Sequence, residues 1–130
     1  MTVRIQWFKP AIQNLLYDPN GDLGKYMRRK GDAIIALAKV QVGVRTGRLQ
    51  RSIAHKRHFR DARGQQMWIG SDVHYALVHH EGRGPQVIVP KTGKVLRFVS
   101  RGQVVFAHKV VQKGTKPNRY LSDPLSKVIK

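Results

Sequence analysis

The stretch Ser52–Ser71, SIAHKRHFRDARGQQMWIGS, decides the fold. Its two arms, "SIAHKRHF" and "QQMWIGS", flank the turn-forming "RDARG", and an extended pattern replaces the helical one that precedes it. The stretch predicts a β-hairpin with Ile53, Phe59, Met67 and Ile69 among the buried positions. Upstream, Asp22 is a suitable N-cap for a long helix in which Leu23, Tyr26, Met27, Ile34, Leu37, Ala38 and Val42 recur at spacings of three, four and seven. Gly31 lies inside that helix, where it costs about 1 kcal/mol relative to alanine and so marks a bend or a close packing contact. Before it, Pro10–Tyr17 suits a short helix with Ile12, Leu15 and Leu16 on one face, stopped by "DPNGD". Thr46-Gly47 then marks a turn, followed by Leu49 and Ile53 as apolar anchors.

Downstream, "VHYALVHHEG" satisfies a helical and a strand template equally. The β-branched segments "QVIVP", "KVLRFV" and "QVVFAHKVV", separated by "KTG" and "SRG", read as a meander. "PNRYLSDPLSKVIK" predicts a short closing helix near Pro124. Helices, then strands, then a helix make an α+β protein: N-terminal helices, a small mainly antiparallel sheet with a long hairpin, and a short C-terminal helix. At 130 residues a single domain is expected, helical over about 1–50, sheet and loops over about 51–116 and helical again over about 117–130. No apolar run reaches the roughly 18 residues of a membrane span, and the N-terminus has no signal-peptide pattern, so a soluble cytoplasmic product is expected. The chain has no cysteine, which excludes disulfides, a thiolate nucleophile and cysteine-based zinc sites.

Charge is the strongest compositional signal. Twenty-five Lys and Arg stand against seven Asp and Glu, a net charge of +18. From Gly82 to Ser122 the charged residues are Arg83, Lys91, Lys94, Arg97, Arg101, Lys109, Lys113, Lys116 and Arg119, with no acid among them. Such a surface repels its own copies and attracts polyanions, which makes nucleic acid the natural partner. The cluster Lys25, Arg28, Arg29 and Lys30 reads equally well as a solvated helix face.

Chemistry finds little footing. His74, His79, His80 and Glu81 are the tightest cluster of ligand-type residues, but adjacent His79 and His80 leave any helix or strand in different directions, unlike the paired histidines of HExxH. Asp72 and Glu81 are the only close carboxylates in the middle of the chain, and Asp72 in "GSDV" reads first as a turn residue. A small nuclease is therefore a remote alternative. "GRGP" at Gly82–Pro85 and "KGTKP" at Lys113–Pro117 lack the P-loop pattern and read as turns before extended X-Pro segments. No catalytic residue, metal or cofactor is expected.

Three segments taken in order, "RTGRLQRSI", "IGSDVHYALVHHEGRGPQVIVPKTGKVLRF" and "GTKPNRYLSDPL", resemble the tail-component family of long-tailed bacteriophages, also called head-tail joining or tail-completion proteins. Thr46, Gly47, Leu49, Ser52 and Ile53 fit the first part of the family's pattern. Gly70, Ser71, Val73, Tyr75, Ala76, Glu81, Gly82, Gly84, Pro85, Ile88, Pro90, Lys91, Lys94, Leu96 and Phe98 fit the second. Gly114, Thr115, Lys116, Pro117, Leu121, Pro124 and Leu125 fit the third, so the resemblance runs from near Arg45 to the end. Arg83 stands where threonine is usual, Gln86 where histidine is common, and Arg119-Tyr120 where the family has Pro-Phe.

The resemblance implies a structural virion protein of the neck, assembled in the host cytoplasm, whose homo-oligomeric ring, hexameric by analogy with tail symmetry, surrounds the DNA channel. Its partners would be head-completion or connector proteins, tail terminator or tail tube proteins, and the genomic DNA passing through, with no membrane. Tyr75, Glu81, Arg83, Pro85, Lys91, Lys94, Lys116 and Tyr120 are then expected at subunit or partner contacts. Arg28, Arg29, Lys30, Arg48, Arg51 and Arg57 are expected near DNA. The alternative is a stand-alone basic nucleic-acid-binding protein.

Overall fold

A computed structural model describes residues 2–130. The elements run α1 (Lys9–Tyr17), α2 (Asp22–Gln41), α3 (Arg48–Ser52), β1 (Ala54–Asp61), β2 (Gly64–Gly70), α4 (Ala76–Glu81), β3 (Gln86–Ile88), β4 (Leu96–Ser100), β5 (Gln103–Ala107), β6 (Val110–Gln112) and α5 (Ser122–Val128). The class is α+β, as expected from the sequence. The chain divides into two compact units, Met1–Ala76 with Arg119–Lys130, and Leu77–Asn118.

The first unit holds the core. Ala38 and Val42 of α2, Leu49 and Ile53 around α3, and Val73, Ala76 and Tyr120 form one buried apolar cluster. Helix α3 begins at Gly47, whose φ of 72° is the left-handed region that glycine enters without penalty. That turn aims Leu49 and Ile53 inward, and Ile53 is fully buried. Hydrogen bonds fasten the helices around this cluster: Gln50 Nε2 donates to the Lys39 carbonyl at 2.8 Å and Gln41 Nε2 to Asp123 Oδ2 at 2.9 Å. Pro124 is fully buried in the first turn of α5, a position where the missing N–H costs nothing.

Strands β1 and β2 form the expected antiparallel hairpin, closed at Asp61↔Gly64, with a register shift between His55 and Arg57. Gly31 proves to be a packing contact: a Cβ there would come within 2.5 Å of His55 Cε1 and 2.9 Å of Met67 Sδ. The bare glycine thus lets the hairpin lie against α2, and His55 Nε2 reaches Asp32 Oδ1 at 2.8 Å beside it. Other expected core positions are more open. Phe59, Met67 and Ile69 are half-buried, and Tyr26, Leu37, Leu15 and Leu16 are exposed. The helical spacing on α1 and α2 is real, but parts of the apolar faces it creates have no covering element.

The second unit departs from the expected meander. Strand β3 pairs with β6 and β4 with β5, both antiparallel, so β3 and β4 are successive parts of one arm and β5 and β6 of the other. The four strands make a single two-stranded ribbon, closed at Arg101-Gly102, where φ is 51° and 81°. Positive φ at both central residues suits a type I′ turn, whose twist matches the flanking strands. The "KTG" residues, expected to reverse the chain, instead belong to an excursion of one arm: Val89–Val95 separates β3 from β4, opposite only His108 and Lys109. His108 Nδ1 lies 2.9 Å from the Lys94 carbonyl and ties the excursion to the facing arm. Segment "VHYALVHHEG", open between two templates, contains the short helix α4.

Candidate functional site

The ribbon is rooted in a backbone clasp built from the two glycine motifs expected to form turns before extended X-Pro segments. Arg83 N–H donates to the Thr115 carbonyl at 3.0 Å, and Thr115 N–H returns to the Arg83 carbonyl at 2.7 Å. This reciprocal pair needs two glycines. A Cβ at Gly114 would come within 2.6 Å of the Arg83 carbonyl oxygen, and one at Gly82, where φ is 78°, within 2.6 Å of the Thr115 carbonyl oxygen. Pro117 packs over Gly82, and Asn118 N–H closes the loop on the His79 carbonyl at 3.2 Å. "GRGP" and "GTKP" are therefore two halves of one structure, with the Arg83 and Thr115 amides committed to each other.

Arg83 gains a role here. Its backbone completes the clasp, and its Nη2 donates to Gln112 Oε1 at 2.6 Å, bracing the end of β6. Glu81, Pro85, Lys91, Lys94 and Lys116, expected at contacts, are all exposed around this root and along the ribbon. Tyr75 is half-buried, packs against the core cluster and meets the His74 ring edge-on at 5.2 Å. Tyr120 is a correction: only 1% exposed, it is a core residue whose hydroxyl donates to the Ala76 carbonyl at 3.3 Å. Burial pushes its phenol above the ordinary 10.0, and the side chain is not offered to a partner.

Above the clasp the ribbon is apolar on an open face. Arg97↔Phe106 and Val99↔Val104 are directly opposed pairs, and alternation puts both on the same side. Phe106 is 62% exposed and Val99 69%, and Val87↔Val111 in the β3–β6 part is equally open. Among the described residues, none between Leu77 and Asn118 is buried. Two-stranded hairpins are marginal by themselves in water, and contiguous exposed apolar side chains mark surfaces meant to be covered. The charged residues of this unit are Glu81 and the eight bases Arg83, Lys91, Lys94, Arg97, Arg101, Lys109, Lys113 and Lys116.

No family model, curated protein or solved structure matches the chain. The segments that carried the phage resemblance divide into two structural tasks. Leu49, Ile53, Val73 and Ala76 build the core, with Ser52 Oγ and Ser71 Oγ joined at 2.6 Å beside them. Gly82, Gly114, Thr115 and Pro117 build the clasp.

The residues expected near DNA are spread over α2, α3 and β1, and several hold partners within the chain. Arg28 Nη2 binds the Pro19 carbonyl at 2.8 Å, Lys30 Nζ the Val128 carbonyl at 3.2 Å, and Arg51 Nη2 the Thr46 carbonyl at 3.4 Å. The Arg57 guanidinium stacks 4.7 Å from the Phe59 ring, whereas Arg29 and Arg48 are simply exposed. The carboxylates weighed for a nuclease behave as surface groups: Asp72 accepts from the Lys56 ammonium, and Glu81 is exposed. Among the described residues no three His, Asp or Glu side chains gather as a metal site requires.

Proposed function

We propose that the protein is a structural component of a phage neck, joining head to tail as a homo-oligomeric ring around the DNA channel. One observation carries the reading: the ribbon within Leu77–Asn118 has no buried residue, and Val87, Val99, Phe106 and Val111 stand open on it. Exposed apolar side chains on a two-stranded ribbon fit a subunit whose surface is finished by assembly. The ordered motif resemblance supplies the biological setting, and a charge of +18 suits a ring through which a polyanion moves.

Deleting the gene from the phage and imaging the products tests the proposal. Filled heads and finished tails that fail to join are the expected outcome; normal infectious particles contradict it. The charge also favours a second reading, a stand-alone nucleic-acid-binding protein. That reading requires preferred sequences bound far more tightly than random DNA at moderate salt, beyond the steep salt dependence any polycation shows.

A further inference from the structure

The strand-like segment Val3–Phe8 lies in no sheet, and the outer edge of β2 has no strand among the described residues. In "VRIQWF" the apolar Val3, Ile5 and Trp7 alternate with Arg4 and Gln6, the pattern of a strand with one face to bury. None of these apolar side chains is covered: Trp7 and Phe8 are 72% exposed and Val3 and Ile5 more so. Meanwhile β1 and β2 form only a two-stranded sheet, with β1 along one side of β2 and no strand along the other among the described residues.

The ground beside β2 is apolar and open. Two adjoining depressions of about 250 and about 400 Å³ share Ile34, Met67, Ile69 and Leu125 as walls. Met67, Trp68 and Ile69 border the second in succession. Consecutive side chains leave a strand on opposite faces, so an unbroken run of three marks the strand's edge along the trough. The lengths agree too. Val3 to Trp7 spans about 13 Å in extended form. The α2 wall from Tyr26 to Ile34 spans about 12 Å of helix rise.

We infer that Val3–Phe8 of one copy adds as a third strand to the free edge of β2 in a second copy, with Val3, Ile5 and Trp7 entering the trough beside α2 and α5. The occupant is a second copy because the chain itself supplies the missing strand, and that strand lies outside its own trough. Main-chain hydrogen bonds would come from the edge and register from the alternating side chains. Each subunit gives one arm and receives another, a heterologous contact of the kind that closes rings. The inference deepens the ring reading and rests on it for closure, though not for the pairing. A charge of +18 opposes association of copies, so the contact should strengthen as salt screens it, opposite to DNA binding.

The cysteine-free chain makes the test direct. Ile5 and Trp7 would face α2 beside Met67 and Ile69, so Gln6 and Trp68 share the other face of the sheet. Full-length Gln6→Cys and Trp68→Cys proteins are mixed at about 0.5 M salt, where screening extends only a few ångströms, and oxidised. A disulfide-linked pair holding one copy of each is expected, well above the level given by Lys127→Cys in place of Trp68→Cys. Adding Trp7→Asp to the Gln6→Cys chain should cut that yield at least tenfold; position 7 is exposed, so folding is untouched. No mixed species above the Lys127→Cys level overturns the inference. So does a double Gln6→Cys, Trp68→Cys chain that closes on itself at a concentration-independent rate. A protein that sits at the neck without this cross-link sinks the arm and spares the neck reading, and a cross-linking protein missing from virions does the reverse.

Discussion

The two compact units hold their shapes by different physics. In Met1–Ala76 with Arg119–Lys130, order comes from a buried cluster in which Ala38, Ile53 and Tyr120 are almost wholly removed from water. In Leu77–Asn118 it comes from backbone pairing and from the clasp at Gly82, Arg83, Gly114 and Thr115, with no buried residue behind it. A core is self-sufficient because the hydrophobic effect needs no partner. A clasped ribbon has fixed hydrogen bonds but an uncovered apolar face, so it is ordered in register and unfinished in energy. One unit thus has a buried core and the other an uncovered apolar face.

Substitutions can break that contrast. The largest effect is expected at Ile53→Ala, which empties a fully buried site and should cost the first unit about 2–5 kcal/mol. Chemical denaturation would measure it, and amide exchange should show the β3–β6 and β4–β5 pairs still formed under native conditions. If ribbon amides lose protection in the same proportion, the two units do not have separate sources of order. Next, Gly114→Val drives a side chain into the Arg83 carbonyl and should cost the ribbon about 1–3 kcal/mol. The expected signature is faster exchange at Val87 and Val111 with the denaturation midpoint of the first unit unchanged. The smallest effect is a gain. Arg101 holds a φ of 51° that asparagine tolerates better, so Arg101→Asn should slow exchange in β4 and β5 by about 0.5–1 kcal/mol.

Local signals made much of this fold legible. The hairpin of Ala54–Gly70 followed from alternation and "RDARG", and α2 from apolar spacing with Asp22 at its start. Gly31 was readable as a contact or a bend, and only the approach of His55 and Met67 decided between them. The ribbon differs from the expected meander because "KTG" is good turn punctuation, while the pairing of β3 with β6 depends on residues more than twenty positions apart. No local pattern reports such a register. The clasp is equally invisible locally, because it exists only where two glycine motifs about thirty residues apart meet. Tyr120 is buried rather than at a contact because an aromatic in a loop before a helix suits a surface or a core equally, and its burial is set by Ile53, Val73 and Ala76 far away in sequence.

Position in the virion is the direct test of the account. A small tag fused after Lys130, imaged in intact particles by electron microscopy, should place density in a ring between head and tail. Label on the capsid or tail shaft, or none in purified particles, would contradict it.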